Sequence, residues 1–455
     1  MVRFPDRCRR AVTAAILVAL ASGCEPSGPS QPNVLLIVVD TLRYDHLGCY
    51  GYERDTSPQI DALAADSILV ERAYATAPWT LPSIASMFTG LYPNSHATTK
   101  LNSKLPDDVT TLAEILKQQG YVTGGVISHV LLTVDRNFNQ GFDQYHPAMR
   151  GNTHDTASTN VVTQRAQNYL RQFAGQDQPF FIFAHYFDPH YNYLRHAEFG
   201  FSAPSVGRLK PGQDVEGLYD MAADLTPEEV QFLRDLYDEE IRYTDRGIGR
   251  LVATLKELHL YDQTLILLVG DHGEEFVDHG NLGHARSLYD EVVRVPLILR
   301  NPHDRDGPRR VEGPVSLVSL TPTILDLLGV DSGKVGFQAR SFAPVLASEE
   351  SPQSHVVYCE VDFGYYEVYR KALLMNGRKI IRDDTTGKIE IYDLNEDPFE
   401  KQDLATSSPD AITTLLPVLE SHIKLARGEA FDAEQTTLSA EQLEQLRSLG
   451  YLGQD

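Results

Sequence analysis

Several apolar runs of this 455-residue chain end on groups able to hold a metal ion. Asp40 follows Val34–Val39, Asp271-His272 follows Thr264–Val269 and Gly270, and Asp188 with His190 follows Phe180–Ala184. Asp278-His279 and His284 come shortly after the second of these. Carboxylate and imidazole converging from separate strand ends form a donor set suited to Zn²⁺ or Mn²⁺. A single Asp-His pair reads equally well as a helix cap with a surface partner, but four groups at one sheet edge call for a cation to neutralise them. No cysteine pair has ligand spacing, so a metal here would rest on Asp and His.

A candidate nucleophile lies in Ala77-Pro78-Trp79-Thr80-Leu81-Pro82-Ser83-Ile84, which opens a short helix predicted to stop at Gly90. Taken alone, Thr80 reads as an N-cap hydroxyl. The same helix end offers unpaired N–H groups and the positive end of its dipole, which suit an anionic ester. Cap and nucleophile are compatible roles for one hydroxyl.

The elements that position these residues follow an α/β pattern. The runs Val34–Val39, Tyr121–Ile127, Phe180–Ala184, Thr264–Val269 and Val295–Leu299 are continuously apolar, as strands of a parallel sheet covered on both faces should be. Thr226-Pro227-Glu228-Glu229 is a capping box that opens a helix to about Leu258. From about Ser341 the texture shifts to His355–Glu360, Val368–Met375, Arg378–Ile381 and Glu390–Tyr392, a small antiparallel sheet, and a last helix covers Ser439–Leu449. The expected fold is a doubly wound, mostly parallel α/β domain over 33–340, followed by a C-terminal subdomain over 341–455.

The composition excludes other classes. Forty Lys and Arg stand against 63 Asp and Glu, a formal charge of −23, so binding to a nucleic-acid polymer is not expected. Residues 1–23 place Arg3, Arg7, Arg9 and Arg10 before an apolar core, Ala11–Ala21, too short to span a bilayer and suited to an export signal. The core ends Leu20-Ala21-Ser22-Gly23-Cys24 and resembles the lipobox of bacterial lipoproteins, which implies acylation at Cys24. Residues 24–32 then read as an extended tether, and Glu25 favours the outer membrane by the same resemblance. Cys8 would leave with the signal, so Cys49 and Cys359 remain as the other cysteines.

Asn33-Val-Leu-Leu-Ile-Val-Val-Asp40-Thr-Leu-Arg43, Thr80-x-Pro82-Ser-x-Ala-x-x-x-Thr-Gly90, Gly270-Asp271-His272-Gly273-Glu274 and Arg294-Val-Pro-Leu-Ile-Leu together resemble the sulfatase family of the alkaline phosphatase superfamily. Tyr392-Asp-Leu-x-x-Asp-Pro398-x-Glu400 is similar to a segment of that family's C-terminal region. The departures bear on chemistry. Sulfatases carry Cys or Ser at the position of Thr80, oxidised there to formylglycine, and Arg at the position of Ile84. Their paired Asp-Asp is here Asp40-Thr41, and the Asp-Asn of their calcium site is Asp271-His272. In these respects the chain resembles the phosphodiesterase, nucleotide pyrophosphatase and phosphoethanolamine-transferase branches, where threonine attacks phosphorus beside Zn²⁺ or Mn²⁺.

That resemblance implies a divalent metal on Asp40, Asp271 and His272, in contact with the Thr80 oxygen. Zn²⁺ or Mn²⁺ is the expected ion and Ca²⁺ the alternative. His190 and His284, with Asp188, either bind a second metal or hold the substrate's non-bridging oxygens; Asp188 and His284 are assigned to a metal and His190 to substrate. The substrate is an anionic ester, phosphate or phosphonate before sulfate, cleaved by water or transferred to an alcohol. The rival from another class is a lipoprotein that keeps the fold without the activity. His185 and His279 read as buried, hydrogen-bonded residues, and Arg43 and Arg286 as ion pairs or anion contacts.

Overall fold

The computed structural model describes residues 31–148, 158–213, 215–331, 333, 335–347, 355–428 and 430–452. The export signal, Cys24 and most of the tether lie outside the described residues. Among the described residues, no helix is long and apolar enough to cross a membrane.

A nine-stranded sheet forms the centre. Its strands are β1 (Asn33–Val39), β2 (Ile68–Tyr74), β3 (Val122–Ile127), β4 (Gln144–Pro147), β5 (Phe180–Tyr186), β6 (Thr264–Gly270), β7 (Arg294–Arg300) and β8 (Arg309–Val311), with Val315–Ser316 pairing beside β2. The spatial order is β8-β2-β7-β6-β1-β5-β3-β4. Strands β6, β1, β5, β3 and β4 run parallel, while β7 runs antiparallel to both β6 and β2. The apolar run of β7 therefore does not mark a parallel strand as expected. It is buried on both faces in either orientation, and burial alone sets that pattern.

Helices cover both faces of this sheet. Phe183 of β5 packs on Phe88 of α1 (Thr80–Thr89), ring centroids 4.8 Å apart. Three residues on, and so on the opposite face, the Tyr186 hydroxyl meets Thr163 of α2 (Thr159–Phe173) at 3.1 Å. The long helix α3 (Pro227–Glu257) starts at the expected capping box, with Thr226 and Glu229 each satisfying the other's backbone N–H.

The C-terminal sheet is antiparallel, in the order β9 (Val357–Phe363), β10 (Val368–Met375), β11 (Arg378–Asp383) and β12 (Ile389–Asp393). Val357, Val361 and Phe363 join the main core, whereas Tyr358, Leu373 and Ile380 pack with Leu415, Leu419 and Ile423 of α4 (Pro409–Gly428). Glu400 explains the motif around Pro398. Its carboxylate lies 2.8 Å from Lys379 Nζ and accepts the Asp290 N–H at 2.6 Å, and Lys379 also meets Asp290 at 2.9 Å. This buried cluster clamps the small sheet to the segment leading into β7. The last helix is α5 (Ala440–Ser448), and Leu449-Gly450-Tyr451-Leu452 follows it.

Candidate metal centre and nucleophile

Four neighbouring parallel strands end at one edge, and the candidate ligands stand there. Val39 is in register with Gly270 of β6, and Val38 with His185 of β5. One step beyond β1 comes Asp40, and one beyond β6 come Asp271 and His272. His129 follows the end of β3 by two residues. Ligand sites outside the carboxyl ends of parallel strands are the rule in open α/β sheets.

Backbone geometry fixes the two carboxylates. Thr41, a β-branched residue, is held at φ 54°, a left-handed conformation that costs energy outside glycine. This turn aims the Thr41 N–H at Asp271 Oδ1 (3.2 Å), which also accepts from the His272 N–H at 2.9 Å. Asp271 Oδ2 and Asp40 Oδ2 are buried without a hydrogen-bond partner.

Thr80 is the first residue of α1 and the cap position belongs to Trp79, so its hydroxyl is not spent as the N-cap. It lies 3.5 Å from Asp40 Oδ1 and 3.3 Å from His272 Nε2. Ser83 secures the helix by donating to the Asp271 carbonyl at 2.6 Å. All ten residues of α1 are buried, and Ile84 adds to the core where a sulfatase carries arginine.

His272 Nε2 is 3.4 Å from Asp40 Oδ1 and 3.6 Å from Asp271 Oδ2, while its Nδ1 lies 2.9 Å from the Gly273 carbonyl. A carbonyl only accepts, so Nδ1 carries the proton and Nε2 presents its lone pair to the site. Two sets of three ligand atoms lie within 4.8 Å of one another, Asp40 with His129 and His190 and Asp40 with His185 and Asp271. Asp40 is common to both.

These residues fit a divalent cation. Both ring nitrogens of buried His185 lack a hydrogen-bond partner, and its Nε2 lies 3.7 Å from the orphaned Asp40 oxygen. Burial, then His272, pushes His185 down to about 3. Burial likewise lowers His272 and takes His284 to about 3. The imidazoles are thus neutral, as ligands must be. Burial and the mutual proximity of Asp40 and Asp271 push the Asp40 carboxyl well up, and burial raises Asp271. Buried acids without a counter-charge and uncharged imidazoles form a cluster that calls for positive charge.

Asp188 has other partners. Its oxygens accept from the N–H groups and hydroxyls of Ser158 and Thr159, at 2.7–3.4 Å, where they cap α2. The carboxylate serves an N-terminus that lacks a cap of its own, and Asp188 is in neither ligand set. His284 lies beside His272, ring centroids 4.5 Å apart, but is in neither ligand set. Its Nδ1 meets Glu274 at 3.0 Å and its Nε2 the Tyr451 hydroxyl at 3.2 Å. His190, expected on substrate, is in the first set.

His129 went unread in the sequence although Ser128-His129 follows Tyr121–Ile127 by the same rule that exposed Asp40. His185 is the penultimate residue of β5, buried as expected but with neither ring nitrogen hydrogen-bonded, and the apolar strand that carries it hides it as a ligand candidate. Arg43 is structural, bound to Asp45, Asp278 and the Glu274 carbonyl, and His279 bridges Glu291 and the Glu400 carbonyl. Cys49 and Cys359 are free thiols.

The chain matches the sulfatase family over residues 32–330, and over 278–424 a region described as N-sulphoglucosamine sulphohydrolase, C-terminal. It belongs to the sulfatase family. Among relatives, it is 24% identical over 427 residues to an uncharacterized sulfatase, YidJ, of Escherichia coli, covering 82% of this chain and 83% of that one. It is 27% identical over 398 residues to the iduronate 2-sulfatase of Mus musculus, covering 69% and 72%. A phosphonate monoester hydrolase of Agrobacterium radiobacter superposes with a TM-score of 0.71 at 22% identity, covering 88% of this chain and 96% of that one. The protein is therefore a sulfatase-family hydrolase with a potential metal site, and its relatives divide between sulfate and phosphonate esters.

Proposed function

We propose that this sulfatase-family protein hydrolyses phosphate or phosphonate esters through the Thr80 hydroxyl, in preference to sulfate esters. The carrying observation is the Thr80 oxygen, set at the end of a buried helix 3.3 Å from His272 Nε2 and 3.5 Å from Asp40 Oδ1. Threonine does not give the formylglycine aldehyde, so the hydroxyl itself must act. Asp40, Asp271, His272 and His185, with His129 and His190 also beside Asp40, would hold Zn²⁺ or Mn²⁺. When bound, such a cation supplies Lewis-acid charge that lowers the pKa of a neighbouring hydroxyl and offsets charge on the transferred group.

The chain's own residues define the steps. Thr80, steered by the Asp40 carboxylate, attacks phosphorus in line as the P–O bond to the leaving alcohol breaks on the opposite side, and in net the Thr80 hydroxyl proton departs with that alcohol. The phosphoryl or phosphonyl group remains on Thr80 Oγ. Water then attacks the same phosphorus from the vacated side, the P–Oγ bond breaks, and one proton of the water returns to Oγ. His284, fixed by Glu274, stands where it can contact an oxygen of the group in transfer.

The transferred phosphoryl group carries more negative charge than a sulfuryl group, and an imidazole-rich site that holds a divalent cation suits it better. Nitrophenyl phosphodiester, phosphate, phosphonate monoester and sulfate compared on Zn²⁺- or Mn²⁺-loaded protein test this. The diester or phosphonate is expected to turn over at least about 10-fold faster than the sulfate. Faster sulfate turnover would refute the preference.

Arg3, Arg7, Arg9 and Arg10 before the apolar run Ala11–Ala21, and Cys24 after it, support a further part of this reading, an enzyme tethered by lipid in the bacterial envelope, facing the periplasm or the outside. Labelling with a radioactive fatty acid should be lost in Cys24→Ala, and undiminished labelling would rule the anchor out.

A further inference from the structure

Every group of the site is sealed. Thr80, Asp40, Asp271 and His272 show no exposed surface, and His190 and His284 show at most 3%. An ester reaches Thr80 only if part of the wall moves. The wall includes strand ends and the first turn of α1, held by sheet pairing and the core, and loop residues such as Tyr191, whose ring stacks on His284 with centroids 5.2 Å apart. Leu449-Gly450-Tyr451-Leu452 differs from these in coming from the far end of the chain, and it belongs to no sheet. Two tyrosine hydroxyls hold its backbone, Tyr191 on the Leu449 carbonyl and Tyr366 on the Gly450 carbonyl, and the Leu449 and Tyr451 side chains pack into the main core.

Tyr451 occupies the centre of the seal at 1% exposure. Its hydroxyl lies 3.2 Å from His284 Nε2, and its ring stands 6.0 Å from Trp79 and 6.3 Å from Phe363. A residue serving only to plug an apolar hole would present carbon. This one places a hydroxyl among the site's polar groups, next to a histidine that Glu274 holds from behind.

Resting on the Thr80 reading above, we propose that Tyr451 is a catalytic residue carried in by the C-terminal tail. In the closed site the Tyr451 hydroxyl donates to His284 Nε2, the lone-pair nitrogen of a ring whose Nδ1–H is held by Glu274, and with an ester bound against Thr80 it turns to donate that hydrogen to an ester oxygen instead. The 449–452 segment lifts to admit the ester and re-seats over it, excluding water as it does so.

Trp79 is the only tryptophan in the chain and touches the Tyr451 ring, so its fluorescence reads the tail's seat independently of turnover. The test uses the full-length, Mn²⁺-loaded protein with bis(4-nitrophenyl) phosphate. Tyr451→Phe keeps the ring and loses the hydroxyl. It should lower kcat by about 100-fold, move KM less than about 3-fold, and leave acrylamide quenching of Trp79 and the melting temperature unchanged. Deleting 449–455 should lower kcat at least as far and increase quenching of Trp79. Wild-type kcat in Tyr451→Phe, or faster turnover after the deletion, would overturn the proposal, the latter marking the tail as a simple plug. Failure of the wild-type protein to cleave any ester would count against the Thr80 reading instead. Calorimetric titration with inorganic phosphate would then decide for Tyr451: affinity weakened at least about 5-fold in Tyr451→Phe supports it, and equal affinity overturns it.

Discussion

Thr80→Ala should abolish ester hydrolysis, lowering kcat at least about 10³-fold for phosphodiester and phosphonate alike, while bound metal and the melting transition stay near wild type. The size follows from removing a covalent nucleophile: what survives is only the catalysis that binding and charge give to direct attack by water. The fold should tolerate the change because Trp79, not Thr80, occupies the cap position and Ser83 still ties α1 to the Asp271 carbonyl. Stopped assays with metal analysis on the same samples check both halves. Thr80→Ser retains a hydroxyl and should keep a substantial part of the activity.

The second large effect should come from Asp40. It belongs to both ligand sets, so Asp40→Asn is expected to deplete metal throughout the site and lower turnover at least about 10³-fold. The contrasting change is Asp188→Asn, which weakens the cap on α2 at a stability cost of about 1 kcal/mol and leaves metal content intact. Metal-free protein should respond in the opposite sense to Asp40→Asn. Burial raises the folded-state pKa of Asp40 and Asp271 above that of the unfolded chain. Their contribution is therefore complete below the ordinary carboxylate range and is lost as pH rises through the raised values. Without metal, the melting temperature of the wild type should fall as pH rises from the ordinary carboxylate range through the raised value of Asp271, about 8, and Asp40→Asn should flatten that fall. With metal bound the wild-type slope should vanish, because the cation holds both acids ionised. Calorimetry with and without chelator checks this, and a flat profile in the metal-free wild type would contradict it.

What could be read in the sequence, and what could not, separates along physical lines. Asp40, Asp271 and His272 were legible because a charged group directly after a buried strand has no bland place in a core. Strands β1, β5 and β6 were legible from their unbroken apolar runs. Strand direction was not: β7 has the same composition whether it runs with or against β6. Strand β2 went unread because Glu71 and Arg72 interrupt its run, and α4 because Pro417 stands inside it. The cap that Asp188 makes on α2 was not legible, because a carboxylate after a strand can serve a helix N-terminus as well as a cation and the sequence does not show where α2 lies. His185 was obscured by the apolar strand that carries it. Tyr451 lies more than 160 residues from the nearest strand-end ligand, and no local spacing connects a C-terminal tail to a site it closes.

The central claim is a covalent intermediate on Thr80, and the stereochemical course at phosphorus tests it most directly. A P-chiral phosphorothioate diester hydrolysed in isotopically labelled water by the metal-loaded protein should give product with retained configuration, the sum of two in-line displacements. Inversion would mean a single direct attack by water and would contradict the role assigned to Thr80.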